Sequence, residues 1–347
     1  MNTFKKQTIA KAVGLALIAG TLATIAAPAS ATLVLNGGWQ DAALSIDAWG
    51  GSTGGVLSTD TPTGAQVLQA YLYASDVWGG GLSNVSLAGN TLTTATGTLL
   101  APNANPANTM RWDVTSIMKP LIEGTNGLQN FSFSEAGYLD GGVLVVVYKD
   151  ASTTGGTAII LDGELAQGGD TTTLAFAAPY ASGDVVMSLA SSFSYQPTGQ
   201  VTTVDVVTSS TASRRLTGCA GGQDDGQGAN GALMTAGGIG DNTTNPDPNC
   251  SGNSGPFVDD ELYNLALGNV VDATPFLKTG DTSITFNTRN PSNNDNVFFL
   301  GFTSAFKITD VNDDDIDDPS VVPEPASLAL LGIGLAGLGA MRRRNTA

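Results

Sequence analysis

The sequence predicts an all-β fold of two related antiparallel β-sandwich lobes, jelly-roll-like, and three observations lead there. First, short runs rich in β-branched and aromatic residues recur along the chain, punctuated by Gly, Asn, Asp and Pro. Second, helical periodicity is nearly missing between them, which excludes a parallel α/β arrangement. Third, part of the pattern occurs twice.

The expected strands are 67–73, 85–87, 131–133, 143–148, 157–161, 173–176, 185–189, 201–207, 283–286 and 297–302. Apolar residues alternate with polar ones in Asn130-Phe131-Ser132-Phe133-Ser134 and in Thr282-Ser283-Ile284-Thr285-Phe286, as in half-buried strands. Val143 to Tyr148 is apolar throughout and belongs in a sheet centre, covered on both faces. Only 115–123 and 260–267 have the pattern of helical turns.

The repeat begins with Trp112-Asp113-Val114-Thr115, a hydrophobic turn and Lys119, then runs through Asn130–Phe133 into Val143–Tyr148. Later, Val271-Asp272-Ala273-Thr274, another hydrophobic turn and Lys278 run through Ile284–Phe286 into Val297–Phe302. Upstream, 67–73 and 85–87 have counterparts in 185–189 and 201–207. The expected organisation is therefore a signal peptide at 1–31, lobe one at 32–165, lobe two at 166–308, an acidic linker at 309–321 and a sorting segment at 322–347.

Composition removes whole classes of chemistry. The 347 residues include no histidine and two cysteines. Imidazole-based triads and His-ligated metals are excluded, as are four-cysteine zinc sites. The net charge of −17 argues against nucleic acid or anionic lipid as the main partner.

Both termini read as addresses. Lys5, Lys6 and Lys11 precede an apolar run from Ala12 to Ala27, and Ala29-Ser30-Ala31 forms a small-x-small cleavage site, so a signal helix is removed after Ala31. At the other end stand Pro323-Glu324-Pro325, a mostly apolar helix-forming run from Ala326 to Met341, and Arg342-Arg343-Arg344. About sixteen residues at 1.5 Å each reach roughly 24 Å, short of the ~30 Å hydrocarbon core but within what bilayer thinning allows. The arginines would remain cytoplasmic. Without these segments the body holds eight basic side chains against 30 acidic ones, a net of about −22, which suits a soluble exported protein.

The C-terminal arrangement closely resembles the PEP-CTERM sorting signal of Gram-negative bacteria. The resemblance implies transient inner-membrane anchoring, cleavage near Pro323–Pro325 by an exosortase-type transpeptidase, and release to the cell surface or extracellular matrix. Such proteins commonly accompany exopolysaccharide. The body also resembles β-sandwich repeat domains of bacterial and archaeal surface proteins, through Trp112–Thr115, Gly142–Asp150, Ile160–Gly163 and Asp259–Tyr263. That likeness implies a surface scaffold and transfers no active site.

Within the body, Cys219 and Cys250 flank a Gly/Asn/Asp-rich loop. An exported chain is expected to pair them, a closure worth roughly 3–4 kcal/mol in the chain-entropy model; the alternative is a reactive thiol, which needs an activating neighbour. Asp224, Asp225, Asp241, Asp247, Asp259, Asp260 and Glu261 gather in and after that loop. Such oxygen ligands suit calcium, with Asp241, Asp259, Asp260 and Glu261 as the candidate set; plain solvated charge is the alternative. The run Asp310–Asp318 resembles the front of an EF-hand loop but lacks its central Gly and closing Glu, and reads better as the acidic linker.

Ser116-Ile117-Met118-Lys119 and Lys278-Thr279-Gly280 match fragments of serine–lysine acyl-transfer motifs, but Pro120 follows Lys119 where a nucleophile-bearing helix should continue. Paired carboxylates for glycoside hydrolysis cannot be told apart among so many acids. Trp39, Trp49, Trp78 and Trp112, with Tyr71 and Tyr73, could stack on sugars, although core packing is the default for tryptophan.

The expected function is a non-enzymatic surface or matrix protein with no catalytic residue. A carbohydrate-binding module comes next and a secreted hydrolase last. Mass analysis of the exported form should find a chain that starts at or near Thr32 and lacks Arg342–Arg344; an intact arginine tail would refute the sorting reading.

Overall fold

The computed structural model describes residues 33–51, 53–77, 81–100, 107–125, 127–137, 139–165, 168–192, 202–220, 225, 234–241, 243–245, 247–249, 261–290, 297–311 and 314–315. The signal segment with Ala31 and the sorting segment with Pro323, Glu324, Pro325 and Arg342–Arg344 lie outside these residues.

The described chain is nearly all β and its sheets are antiparallel. The first stretch supplies β1 (Leu33–Gln40), β2 (Ala43–Gly50), β3 (Gly55–Thr61), β4 (Gln66–Val77), β5 (Val85–Leu87), β6 (Asn90–Leu92), β7 (Thr98–Leu99) and β8 (Ala107–Asp113). The short helix α1 (Thr115–Ile122) follows, then β9 (Gly127–Glu135) and β10 (Gly141–Lys149). The remainder gives β11 (Thr157–Gly163), β12 (Asp170–Phe176), β13 (Val185–Ser191), β14 (Thr202–Thr208), β15 (Arg214–Ala220), β16 (Thr235–Ala236), β17 (Leu262–Asn264), β18 (Ser283–Arg289), β19 (Val297–Ser304), β20 (Ile308–Val311) and β21 (Asp314–Asp315).

All ten expected strands are present. The expected helical turn at 260–267 is not: Leu262, Tyr263 and Asn264 form β17 instead, paired with Ser188, Met187 and Val186 of β13. All three side chains are buried, so sheet pairing overrides the local apolar spacing. Thr309 to Val311, expected to open the acidic linker, instead complete β20 beside β12, where Ile308 and Val311 are buried.

The ladder order occurs twice. One inner sheet runs β2-β10-β4-β8-β7 and its outer companion β3-β9-β5-β6. The second inner sheet contains β11-β19-β13, with β17 and β16 both on β13, and its companion contains β12-β18-β14-β15. Thus β2 to β10 and β11 to β19 follow the same path, and the changeover lies between Lys149 and Thr157. β11 precedes the expected lobe boundary at 165–166 yet pairs with β19.

β1 and β20 stand outside the repeat, as does the short β21 that pairs with β20. β1 adds to the edge of β11, and β20 adds to the edge of β12. They are tied together by Gln40 Nε2, which donates to the Ile308 carbonyl at 2.8 Å. Asp41 turns the chain from β1 into β2 at φ 54°, a conformation Asp tolerates better than most residues, and its Oδ1 accepts the Gly155 N–H. Among the described residues the equivalent edge of β3 has no added strand. There Ser58 and Asp60 donate their main-chain N–H groups to Asp47 Oδ2 and Ser45 Oγ on β2.

Three apolar clusters lie between these sheets. β10 shows the division: Leu144 and Val146 join the cluster shared with β3, β5 and β9, while Val143, Val145 and Val147 join the one shared with β11 and β19. The third cluster gathers residues of β11, β13 and β19 with those of β12, β14 and β18.

One polar group crosses the central cluster's margin. Arg111 of β8 donates from Nη1 to Asp162 Oδ2 of β11 at 2.5 Å, and the buried Tyr73 hydroxyl donates to the same oxygen at 2.8 Å. The guanidinium also lies 5.2 Å from the Tyr71 ring centroid. Burial pushes the Asp162 carboxyl up, against the pull of Arg111 and the Tyr73 hydroxyl. Removing one partner leaves a buried charge unpaired. Arg111→Ala should therefore cost about 3–5 kcal/mol of unfolding free energy, while the double change Arg111→Met with Asp162→Leu should cost less; urea unfolding of the three proteins measures both.

Candidate functional site

A groove of about 390 Å³ lies at the edge of β2, where the two repeats meet. One side comes from β2 and β10, the other from β13, β17, β19 and the glycine turn after β16. Its walls are fastened to each other. The Leu44 N–H donates to Thr303 Oγ1 at 3.1 Å, and the Ile239 N–H donates to the Ile46 carbonyl at 2.9 Å. Ser188 Oγ donates to the Gly237 carbonyl at 2.6 Å.

Glycine is required in that turn by close approach. A Cβ on Gly238 would lie 2.1 Å from the Ile46 carbonyl oxygen, and one on Gly237 would lie 2.3 Å from the Glu261 carbonyl oxygen. Only a residue without a side chain lets the turn press against β2 and β17.

Two side chains give the groove its chemistry. Tyr148, half-buried at the end of β10, supplies a ring and a hydroxyl; exposed Asp60 on β3 supplies a carboxylate. Burial raises the Tyr148 phenol, and the charges of Asp150 and Asp60 add to that rise. Among the described residues no lysine or arginine lines the groove.

The residues singled out from the sequence are distributed as follows. Asp241 turns its carboxylate back on the glycine turn, where Oδ2 accepts the Gly238 N–H at 2.5 Å. Glu261 is buried, and its main-chain carbonyl accepts the Leu189 N–H. Asp225 Oδ2 accepts the Ala236 N–H at 2.9 Å and so holds β16. Asp259, Asp260, Asp224 and Cys250 lie outside the described residues, as does the Cys219 side chain. Among the described residues no three acidic or cysteine side chains converge on one point.

The aromatic candidates divide between core and margin. Trp112 is buried and its Nε1 donates to the Thr93 carbonyl at 2.8 Å. Tyr73 is wholly buried; Trp39 and Trp49 pack against apolar clusters, and Trp78 lies outside the described residues. Sequence reasoning missed Tyr148 and Asp60. The available signal was the polar break Tyr148-Lys149-Asp150 that ends the apolar run of β10.

Lys119 of the serine–lysine fragment donates to the Val67 carbonyl at 2.8 Å and pairs with Glu123, while Ser116 is exposed. Pro120 sits inside α1.

The buried acids hold backbone. Asp47 accepts the Ser58 N–H, Asp76 the Gly81 N–H and Glu164 the Thr109 N–H. Asp281 accepts the Lys278 N–H and the hydroxyls of Thr208 and Ser209, which help to keep it below the usual carboxylate range despite its burial. Burial pushes Asp47 up to about 6 and Glu135 up to about 7. Glu135 Oε2 accepts the Leu139 N–H, and its buried Oε1 has no hydrogen-bond partner among the described residues.

Comparison with known proteins gives a precise result at the C-terminus. Residues 321–344 match the PEP-CTERM protein-sorting motif. The motif marks the chain as an exported, surface-associated protein of a Gram-negative bacterium and implies processing by an exosortase. No curated protein matches the chain. Among solved structures it is similar to the major capsid protein P2 from Bacteriophage PM2, at 12% identity, over 76% of this chain and 97% of that one, with a TM-score of 0.21.

The two raised carboxyls set a pH dependence. Both bind a proton more tightly when folded, so their contribution is most favourable below about pH 4 and is lost as pH rises through 6 and 7. The shift at Asp47, about two pH units, corresponds to at most about 3 kcal/mol. Melting temperature should fall by several degrees between pH 5 and pH 8, and Asp47→Asn with Glu135→Gln should flatten that fall in calorimetric scans.

Proposed function

We propose that this is a non-enzymatic protein of the cell surface or extracellular matrix, built of two jelly-roll lobes and associated with exopolysaccharide. The observation that carries the reading is the sorting motif at 321–344 on a body that is nearly all β. The jelly-roll description rests on the twofold ladder order, in which successive strands alternate between an inner and an outer sheet. The non-enzymatic reading is supported by the use made of the buried acids: Asp47, Asp76, Glu164 and Asp281 cap main-chain N–H groups, and Asp162 is held by Arg111 and Tyr73.

A carbohydrate-binding module is the second reading, and the groove beside β2 favours it, since Tyr148 and Asp60 combine a ring with a hydrogen-bond acceptor. Fractionation of the producing cells tests the primary reading. The mature protein should co-purify with the cell's own exopolysaccharide and be released when that polysaccharide is digested. Recovery in the medium free of polysaccharide would overturn the matrix assignment.

A further inference from the structure

We propose that the groove between β2 and the 237–240 turn is a binding subsite for an uncharged, hydroxyl-rich sugar unit, with Tyr148 as the stacking surface and Asp60 as the principal hydrogen-bond acceptor. The inference rests on the exopolysaccharide reading and gives it a place and a ligand class.

Size comes first. A volume of about 390 Å³ lies at the small end of ligand sites, where one or two sugar rings fit. Its walls are fixed before any ligand arrives, because Thr303 and Ile239 join the two sides through hydrogen bonds to β2, and Ser188 braces the glycine turn within one of them. Preformed walls reduce the ordering cost of binding.

Chemistry narrows the ligand. An aromatic ring offers its face to the C–H surface of a pyranose, and a carboxylate accepts hydrogen bonds from paired hydroxyls. Asp60 already spends its main-chain N–H on Ser45 Oγ, which fixes the backbone and leaves the exposed carboxylate as the groove's negative group. With no lysine or arginine in the lining among the described residues, and −17 on the whole chain, a uronic acid or sulfated sugar would meet repulsion. A neutral sugar meets none.

The strand edges explain why the groove lies in the first repeat. In the second repeat β1 occupies the edge of β11, the strand that corresponds to β2. In the first repeat no described strand pairs with the corresponding edge, and the 237–240 turn reaches it through the Ile239 N–H to the Ile46 carbonyl. The space left along Ala43–Ile46 is the groove.

The test uses the mature exported protein on an array of neutral and acidic glycans, followed by affinity electrophoresis in a gel containing the best neutral polysaccharide. Asp60→Asn and Tyr148→Ala should each weaken retardation by about ten-fold or more, the loss expected for one charge-assisted hydrogen bond or one stacking contact, with melting temperatures close to that of the unmodified protein. Tyr148→Phe, which keeps the ring, should retain most of the binding. Retardation unchanged in both Asp60→Asn and Tyr148→Ala would overturn the groove while leaving the matrix reading intact. Equal or stronger capture of polyuronates would overturn the ligand class. A protein that co-purifies with the host polysaccharide yet binds no neutral glycan would overturn the groove proposal alone, whereas failure to co-purify would remove the reading beneath it.

Discussion

The contact between the two inner sheets is the constraint on which the rest depends. Apolar faces alone specify alignment poorly, because valine, alanine and phenylalanine pack against one another in many offsets. The Arg111–Asp162 pair removes that freedom. Asp162 is buried, and only one alignment brings it to the Arg111 guanidinium and the Tyr73 hydroxyl together. Glu164, on the same side of the chain, adds a second tie through the Thr109 N–H. Burying these acids costs solvation free energy, and their return is a unique register between two otherwise greasy surfaces. The groove inherits that register, since its two walls belong to different repeats.

Strands that carry their own signal were legible in the sequence. Val143–Tyr148 declares a buried strand through an unbroken apolar run, and Ile284–Phe286 declares a half-buried one by alternation. β1 gives no such signal: Asn36-Gly37-Gly38 resembles a turn, and the segment becomes a strand because β11 offers it an edge far along the chain. β17 is the opposite error, a segment with helical spacing that a neighbouring strand recruits. Both outcomes are decided by partners distant in sequence, which local pattern does not encode.

The site was less legible than the fold for the same reason. Tryptophans attracted attention as sugar platforms, yet Trp112 is spent on the core. Tyr148 and Asp60 lie on different strands in different sheets, each unremarkable where it stands. Their meeting follows from β10 and β3 lying on either side of β2, one by pairing and the other by side-chain caps. Asp241 was singled out for its charge, and its Oδ2 also accepts the Gly238 N–H, a contact with the glycine turn that local pattern did not announce.

The treatment of strand edges bears on life at high density. An exposed edge is a template for other chains, and an exported protein meets its own copies away from the cytoplasmic chaperones. Here β1 and β20 close the edges of β11 and β12, and side chains of β2 occupy the outward N–H groups of β3. β1 and β20 are pinned to each other through Gln40, and β21, the last described strand, pairs with β20 in turn. Edges covered in this way give another copy fewer backbone templates, so crowding at these edges leaves the copies as separate molecules.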